Sequence, residues 1–211
     1  MTEAEWLACN DPTPMLASLR GKLSDRKTRL FACACCRRVR RKSLGPMSRR
    51  LLELNEKVAE GLARKEDLEV MRSGWLRRLD AAGHPPWRMA LVHATETNYQ
   101  VFPHSARGTA YHAAAAVEST TAEQACQCAL LRCIVGPRQF RDVVLTPAWR
   151  TATVMSVAQA IYDDRAFDRL PILADALEDA GCTDHAILDH CRQPGEHVRG
   201  CWVVDLVLGK E

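Results

Sequence analysis

Two cysteines lie three positions apart in a segment that the sequence predicts to be helical. The segment FACACC spans residues 31–36, so Cys33 and Cys36 project from the same side of a helix. Arginines flank this segment, and their positive charge is expected to lower the thiol pKa values. A CxxC pair of this kind is typical of metal-binding and redox sites, and a metal ion would need about two further ligands.

The further ligands are predicted to come from the C-terminal part of the chain. Residues 182–201 have the spacing C-x2-H-x4-H-C-x5-H-x3-C, which fits no standard zinc finger or ribbon. We predict a zinc site formed by Cys33, Cys36, His190 and Cys201. The alternative is that these cysteines pack among neighbouring apolar side chains. A thioredoxin-like redox site is disfavoured because no βαβ pattern surrounds the CxxC pair.

The cysteines in the middle of the chain are predicted to have no chemical role. Cys126, Leu130, Cys133 and Ile134 recur at helical spacing, as expected for the buried face of a helix. Cys128 falls on the opposite side of that helix and is predicted to be exposed. We therefore interpret Cys133 as a core residue.

A run of basic residues lies in the helix predicted over residues 26–42, and no acidic residue interrupts it. Phe31 and Cys35 share the face predicted to be buried, which leaves Arg29 and Arg40 on the exposed side. A cationic surface helix can follow the phosphates of a nucleic acid. The residues predicted to bind nucleic acid are Arg37, Arg38, Arg40, Arg41 and Lys42.

The alternative for this basic helix is structural. Arginines late in a helix interact favourably with its C-terminal dipole, and they can form ion pairs with acids elsewhere, such as Asp163, Asp164 and Glu178. The chain has 29 basic and 26 acidic residues, a net charge of +3. Dedicated nucleic-acid binders usually carry a larger excess of positive charge.

The segment 84–108 is rich in proline, histidine and aromatic residues. One short helix is predicted from Trp87 to Ala94, and the remainder is predicted to be a loop. A long loop with exposed aromatic rings is typical of a surface that binds a protein partner. The residues predicted to contact the partner are Trp87, His93, Tyr99 and His104.

The remaining elements needed to hold these groups are predicted to be helices throughout. Alanine and leucine are abundant and aromatic residues are only 6% of the chain, which favours helix over strand. We predict an all-α fold, an irregular bundle of about eight to ten helices. The predicted division is an N-terminal helical subdomain at 1–83, the loop at 84–108 and a C-terminal helical subdomain at 109–211.

Composition also limits where this 211-residue protein is expected to act. The N-terminal segment lacks the basic and apolar regions of a signal peptide, and no window approaches the ~20 apolar residues of a membrane span. We therefore expect a cytoplasmic protein with no membrane partner. Its ten cysteines are then expected to be mostly reduced.

The two ends of the chain resemble a known group of sequences. The C-terminal stretches AQAIYDDRAFDRLPILADALEDAGC, HCR and HVRGCWVVDLVLGKE, with TEAEWLACNDPTPML and RLFACACCRR near the N-terminus, are similar to an uncharacterised family typical of planctomycete bacteria. They cover roughly half the chain. The resemblance implies an all-helical bacterial protein, and it carries no activity, cofactor or catalytic residue with it.

Three functions are consistent with the sequence. The first is a non-enzymatic helical module that binds a protein partner, which needs only amphipathic helices and the irregular segment. The second is nucleic-acid binding through the basic helix. The third is a protein stabilised by zinc, which is the one candidate cofactor. We rank them in that order and predict no catalytic residue.

Overall fold

The computed structural model describes residues 1–39, 45–77, 85–96 and 102–210, with only the backbone described at positions 39 and 102–104. Within these ranges the chain forms helices and no strand, which confirms the predicted all-α fold. There are twelve α-helices here, slightly more than predicted. They are α1 (Glu3–Ala8), α2 (Pro12–Ser18), α3 (Asp25–Val39), α4 (Pro46–Ala59), α5 (Lys65–Arg77), α6 (Pro86–Ala94), α7 (Phe102–Ala114), α8 (Thr120–Val135), α9 (Ala152–Asp164), α10 (Leu170–Asp179), α11 (His185–Arg192) and α12 (Trp202–Leu208).

Local sequence signals explain where several helices begin. The Asp11 carboxylate accepts a hydrogen bond from the Thr13 amide at the start of α2, at 2.9 Å. Asp184 does the same for the amides of Ala186 and Ile187 at the start of α11. These caps satisfy backbone donors that have no partner inside a helix.

The described chain divides into two compact units, and each is treated separately below. Unit 1 comprises Met1 and Ala8–Cys128, and unit 2 comprises Thr2–Leu7 and Ala129–Glu211. The boundary falls inside α8, so the division differs from the predicted one at the segment 84–108. None of the described helices combines the length and apolar character needed to cross a bilayer.

Helix α3 lies at the centre of unit 1, packed against α4, α6 and α7. Side chains all around it are buried, including Leu30, Phe31 and Cys36 as well as Arg29, which is 0% exposed. The prediction that Arg29 lies on the exposed side of this helix is therefore wrong, and Arg40 lies outside the described residues. The reason is the uncharged stretch of residues 30–36, which covers the full circumference of the helix with small or apolar side chains.

Arg29 and Asn55 form a buried polar network that ties α3 and α4 to the end of α6. The Arg29 guanidinium donates to the Asn55 side-chain oxygen at 2.9 Å and to the Glu96 carbonyl at 3.1 Å, and it pairs with Asp25 at 3.2 Å. The Asn55 amide donates to the Ala94 carbonyl at 2.8 Å. Both side chains thus satisfy carbonyl groups that the end of α6 leaves open.

The segment 84–108 is more helical than predicted in the part that the structure describes. Helix α6 runs from Pro86 to Ala94 as predicted, but α7 already begins at Phe102. The two helices pack against each other. Gly108 makes the close approach possible, because a Cβ atom there would lie 2.8 Å from the His93 ring. The predicted loop is therefore wrong for residues 102–108, whereas the helix predicted from Trp87 to Ala94 is confirmed.

Unit 2 is built from α9, α10, α11 and α12, with the end of α8 and the N-terminal segment 2–7. Its core consists largely of branched apolar side chains, such as Val154, Leu173 and Ile187, all 0% exposed. Trp6 is buried as well and meets Phe140 edge to face, with ring centroids 6.1 Å apart. Two members of the polar cluster described below, Cys133 and Cys201, belong to this core.

We expect replacement of Arg29 by methionine to lower the free energy of unfolding by about 3–5 kcal/mol, because it leaves buried polar partners unsatisfied. Urea denaturation followed by circular dichroism measures this. Arg64→Met is the control, since Arg64 pairs with Asp67 on the surface and 77% of its side chain is exposed. Equal stabilities of the two variants would show that the network contributes nothing.

Candidate metal centre

Four side chains of unit 2 that can bind a metal converge on one point. They are Cys133, His190, His197 and Cys201, and their ligand atoms all lie within 4.8 Å of one another. All except His197 are buried, and His197 is partly exposed. This is the one group of three or more such ligands found in the described part of the chain.

Three separate parts of unit 2 supply these ligands. Cys133 lies near the end of α8, and His190 lies on α11. His197 lies in the connection that follows α11, and Cys201 directly precedes α12 as its N-cap residue. Each part is held by the core of unit 2, so the ligands are positioned by packing around them rather than by one continuous motif.

The distances suit tetrahedral coordination. Cys133 Sγ lies 3.5 Å from His197 Nδ1, and His190 Nε2 lies 3.3 Å from Cys201 Sγ. With Zn–S and Zn–N bonds of about 2.3 and 2.05 Å, a tetrahedral site has S···N separations of about 3.6 Å. The two measured distances are therefore close to those of a zinc site. Separations in a tetrahedral site are about 3.3–3.8 Å, so a pair that lies 4.8 Å apart would need to approach by roughly 1–1.5 Å.

Gln193 supports both imidazoles. Its side-chain amide lies 3.0 Å from His190 Nδ1, and its backbone carbonyl lies 3.5 Å from His197 Nε2. A metal at His190 Nε2 requires a proton on Nδ1, so the Gln193 amide would then accept through its oxygen. The His197 contact already fits a ring that donates from Nε2 and binds through Nδ1. Such outer partners are characteristic of metal sites.

The cluster also favours a thiolate. Burial acts to raise the pKa of the Cys201 thiol, but hydrogen bonds with Cys133 and His190 and the nearby imidazole charge outweigh burial. The pKa of Cys201 is consequently held well below its usual value. Burial acts to lower the pKa of His197, but its hydrogen bond with Cys201 raises it overall. Thiolate is the form of cysteine that binds metals.

The indole ring of Trp202 lies beside the cluster. The Trp202 ring lies 5.3 Å from the His190 ring, centroid to centroid, and it packs directly on Gly136. A Cβ atom at position 136 would lie 2.5 Å from Trp202 Cγ, and the backbone there has φ +64°. Glycine is therefore required at this position by both conformation and space. An apolar shell of this kind limits the access of water to a metal site.

The ligands predicted from the sequence fall in different units. His190 and Cys201 belong to the cluster, but Cys33 and Cys36 lie in unit 1. Cys33 Sγ instead accepts from the Asn55 amide at 3.2 Å. Burial raises the pKa of Cys33 to about 12 and that of Cys36 well above its usual value. The expected lowering of these pKa values is therefore wrong, and both thiols pack as core residues.

Two of the four ligands were not identified from the sequence. The spacing of Cys133 from Leu130 predicts a buried helical face, and Cys133 is buried, but the spacing does not reveal that it also lies beside the other ligands. The sequence does contain a signal for His197, because this residue precedes Cys201 by four positions in the Cys/His-rich segment. Cys128, predicted to be exposed, is 0% exposed.

The basic residues predicted to bind nucleic acid are paired with acids where they are described. Arg37 makes two hydrogen bonds to the Glu56 carboxylate, at 2.8 and 3.0 Å. Arg38 pairs with Glu123 at 3.1 Å. Both glutamates are buried. The acids differ from those named in the sequence-based alternative. Arg40, Arg41 and Lys42 lie outside the described residues.

The residues predicted to contact a protein partner have different surroundings. Trp87 and His93 lie on α6, and both are partly buried. His93 stacks on His112 with ring centroids 5.3 Å apart, and burial together with this neighbour lowers its pKa. Tyr99 lies outside the described residues. His104 falls within α7, but its side chain also lies outside them.

Comparison with known proteins gives no assignment. The chain matches no protein-family model, no curated protein and no solved structure. The resemblance to the planctomycete group therefore stays a prediction, and function has to be inferred from the geometry of the site.

We expect Gly136→Ala to destabilise unit 2 by about 3 kcal/mol or more, because left-handed strain adds to the collision with Trp202. Gly181→Ala is the matched control, since Gly181 also has a positive φ, +85°, but no atom lies within 4 Å of the added Cβ. The control should lose only about 1–2 kcal/mol. Urea unfolding followed by tryptophan fluorescence measures both. Similar losses in the two variants would contradict the proposed contact.

Proposed function

We propose that this protein is a non-enzymatic helical module whose C-terminal unit is stabilised by a structural zinc ion. The observation that supports this most directly is the convergence of two thiols and two imidazoles within 4.8 Å. No other part of the described chain brings together a comparable set. The ligands proposed are Cys133, His190, His197 and Cys201.

The types of ligand favour zinc. Two thiolates and two neutral imidazoles in a tetrahedral arrangement are typical of zinc sites, whereas Mg²⁺ and Ca²⁺ prefer oxygen ligands. Zinc has no geometric preference of its own from d-electrons, so it accepts the angles that the packing of unit 2 imposes.

A structural role follows from the number of ligands. Catalytic zinc sites usually have three protein ligands and keep one position for water or substrate, whereas structural sites have four. All four positions here are supplied by side chains. Zinc would cross-link α8, α11 and the start of α12, and its binding free energy would contribute to the stability of unit 2.

Protein purified without a histidine tag should contain about one zinc ion per chain, because structural sites fill almost completely. Inductively coupled plasma mass spectrometry on the intact chain measures the content. Replacement of zinc by Co²⁺ should give the visible absorption of tetrahedral thiolate coordination. A content below about 0.2 metal ions per chain would refute the proposal.

The variant Cys133→Ala tests the ligand that links α8 to the site. It should lose the zinc, and the stability of unit 2 should fall by several kcal/mol, because metal binding is coupled to folding. Cys128→Ala is the matched control on the same helix, since Cys128 is equally buried but lies outside the cluster. It should retain zinc and lose only about 1 kcal/mol. Loss of zinc from both variants, or from neither, would contradict this assignment.

The outer contact of Gln193 predicts a graded effect. Gln193→Ala removes the partner of His190 Nδ1 but keeps every ligand, so zinc affinity should fall about 10–100-fold without loss of the fold. Competition with a chromogenic chelator measures the affinity. Gln159→Ala is the control, because Gln159 bonds to Asp163 on the surface of α9. An unchanged affinity in Gln193→Ala would show that this contact does not orient the ligand.

A further inference from the structure

Two histidine rings form a stacked pair where α6 and α7 meet in unit 1. The imidazoles of His93 and His112 lie nearly parallel, at 9° to each other, with their centroids 5.3 Å apart. Both side chains are partly exposed, so protons from the solvent reach them. Histidine is the side chain whose charge ordinarily changes between about pH 5 and 8. The pair can therefore gain two positive charges in mild acid.

The backbone of α7 holds the His93 ring beside its partner. Gly108 lies one turn before His112 on α7, and a Cβ atom at position 108 would lie 2.8 Å from the His93 ring. The ring is thus packed directly on the backbone, on the same face of α7 that carries His112. Because α7 leaves the ring no room on that side, repulsion between two charged rings acts on the helices that carry them.

Charged groups on the surrounding elements do not neutralise the pair. The Glu96 carboxylate favours a charged His93, but it already pairs with Arg72 of α5 at 3.1 Å, and Arg72 acts in the opposite direction. Helix α3 packs against both α6 and α7, and its Arg29 pairs with Asp25 and donates to the Glu96 carbonyl. Helix α2 packs on α7 and contains no charged residue.

The two helices that carry the histidines supply no negative charge either. Neither α6 nor α7 contains an acidic residue. Their arginines, Arg88 and Arg107, add positive charge instead. Tyr111 meets the His112 ring edge to face, with centroids 5.1 Å apart, and a phenol stays neutral in this pH range. A second proton on the pair would therefore meet no unpaired acid on its own helices.

We propose that the α6–α7 interface is an acid-sensitive switch, in which protonation of His93 and His112 places two like charges in one stack and separates α7 from α6. Burial lowers the pKa of both imidazoles, and the charge of His112 lowers the pKa of His93 further. The separated helices then bind protons more readily than the packed ones. The interface is thus fully stable above about pH 6.5, the ordinary histidine value, and loses stability as the pH falls below it.

The contacts between α6 and its other neighbours do not change in this pH range, so the opening is local. Asn55 donates to the Ala94 carbonyl at 2.8 Å, and Arg29 donates to the Glu96 carbonyl at 3.1 Å. A side-chain amide does not titrate, and a guanidinium keeps its charge at every pH used here. We therefore expect mild acid to free α7 from α6 while α6 stays in place on α3 and α4.

Hydrogen exchange followed by mass spectrometry on the intact chain tests this, with peptides of α7 compared at about pH 7.5 and about pH 5. Exchange is corrected for the intrinsic effect of pH on its rate. Two unit charges 5.3 Å apart near a protein surface repel enough to change an equilibrium about tenfold. We expect the opening equilibrium of α7 to rise by about that factor in acid. His185→Gln is the control, because it removes an exposed histidine of α11, and it should leave the rise unchanged.

Substitutions within the pair show whether the two rings act together. His93→Gln and His112→Gln each leave one ring that can be charged, so either variant should lose most of the acid effect, and the double variant should lose little more. His112→Arg sets a permanent charge beside His93, so it should open α7 already at neutral pH. About 0.5 M sodium chloride should reduce the acid effect in the native protein, because salt screens the repulsion.

Three results would overturn the proposal. The first is exchange at α7 that does not increase in acid, and the second is an equal increase in the native protein and in the double variant. The third is an effect that falls by half in each single variant, since the rings would then titrate independently. Circular dichroism at neutral pH verifies that every variant is folded. All comparisons are made at equal zinc content, so failure here is distinguishable from failure of the metal site.

Discussion

Buried polar side chains need partners, and this requirement decides how the helices of both units meet. Burial of apolar surface contributes about 25 cal/mol per Å² but has no direction. A buried donor or acceptor without a partner costs about 1–3 kcal/mol, so polar contacts select one arrangement among many compact ones. In unit 1 Arg29 and Asn55 meet the open carbonyls of α6. In unit 2 the imidazoles of His190 and His197 meet the thiols of Cys133 and Cys201.

The polar network of unit 1 and the polar cluster of unit 2 differ in the helices that they join. The Arg29 network is formed by protein atoms alone, and it joins α3 and α4 to the end of α6. The cluster of unit 2 joins the end of α8 to α11 and α12, which have only eight and seven residues. Helices this short are not stable alone, since about 12–15 residues are needed even for favourable sequences. A metal ion that ties them together would therefore have a large effect on folding.

Much of the fold follows from the sequence, and less of the site does. Periodic apolar residues and capping signals such as Asp184 predict the helices and several of their starts. Arginines at both ends of α3 favour an exposed charged face, whereas the uncharged residues 30–36 bury the middle of the helix on all sides. Cys133 illustrates why a ligand is hard to predict from the sequence. A core residue and a metal ligand on the same buried face of a helix have the same spacing. Only the approach of His197 and Cys201 from later segments distinguishes them, and tertiary contacts of that range leave no local pattern.

Two ion pairs reduce the positive electrostatic potential that the sequence suggests for α3. They join Arg37 to Glu56 and Arg38 to Glu123. Each guanidinium lies against a carboxylate that water barely reaches, so the pair acts at a distance as a weak dipole rather than as a cation. The attraction of a polyanion to this part of α3 would therefore be much weaker than the number of arginines in its sequence suggests. Charge reversal of Arg37 or Arg38 would set two carboxylates against each other in a nearly dry space. A binding assay on such a variant would then report the loss of the fold, whatever the native protein binds.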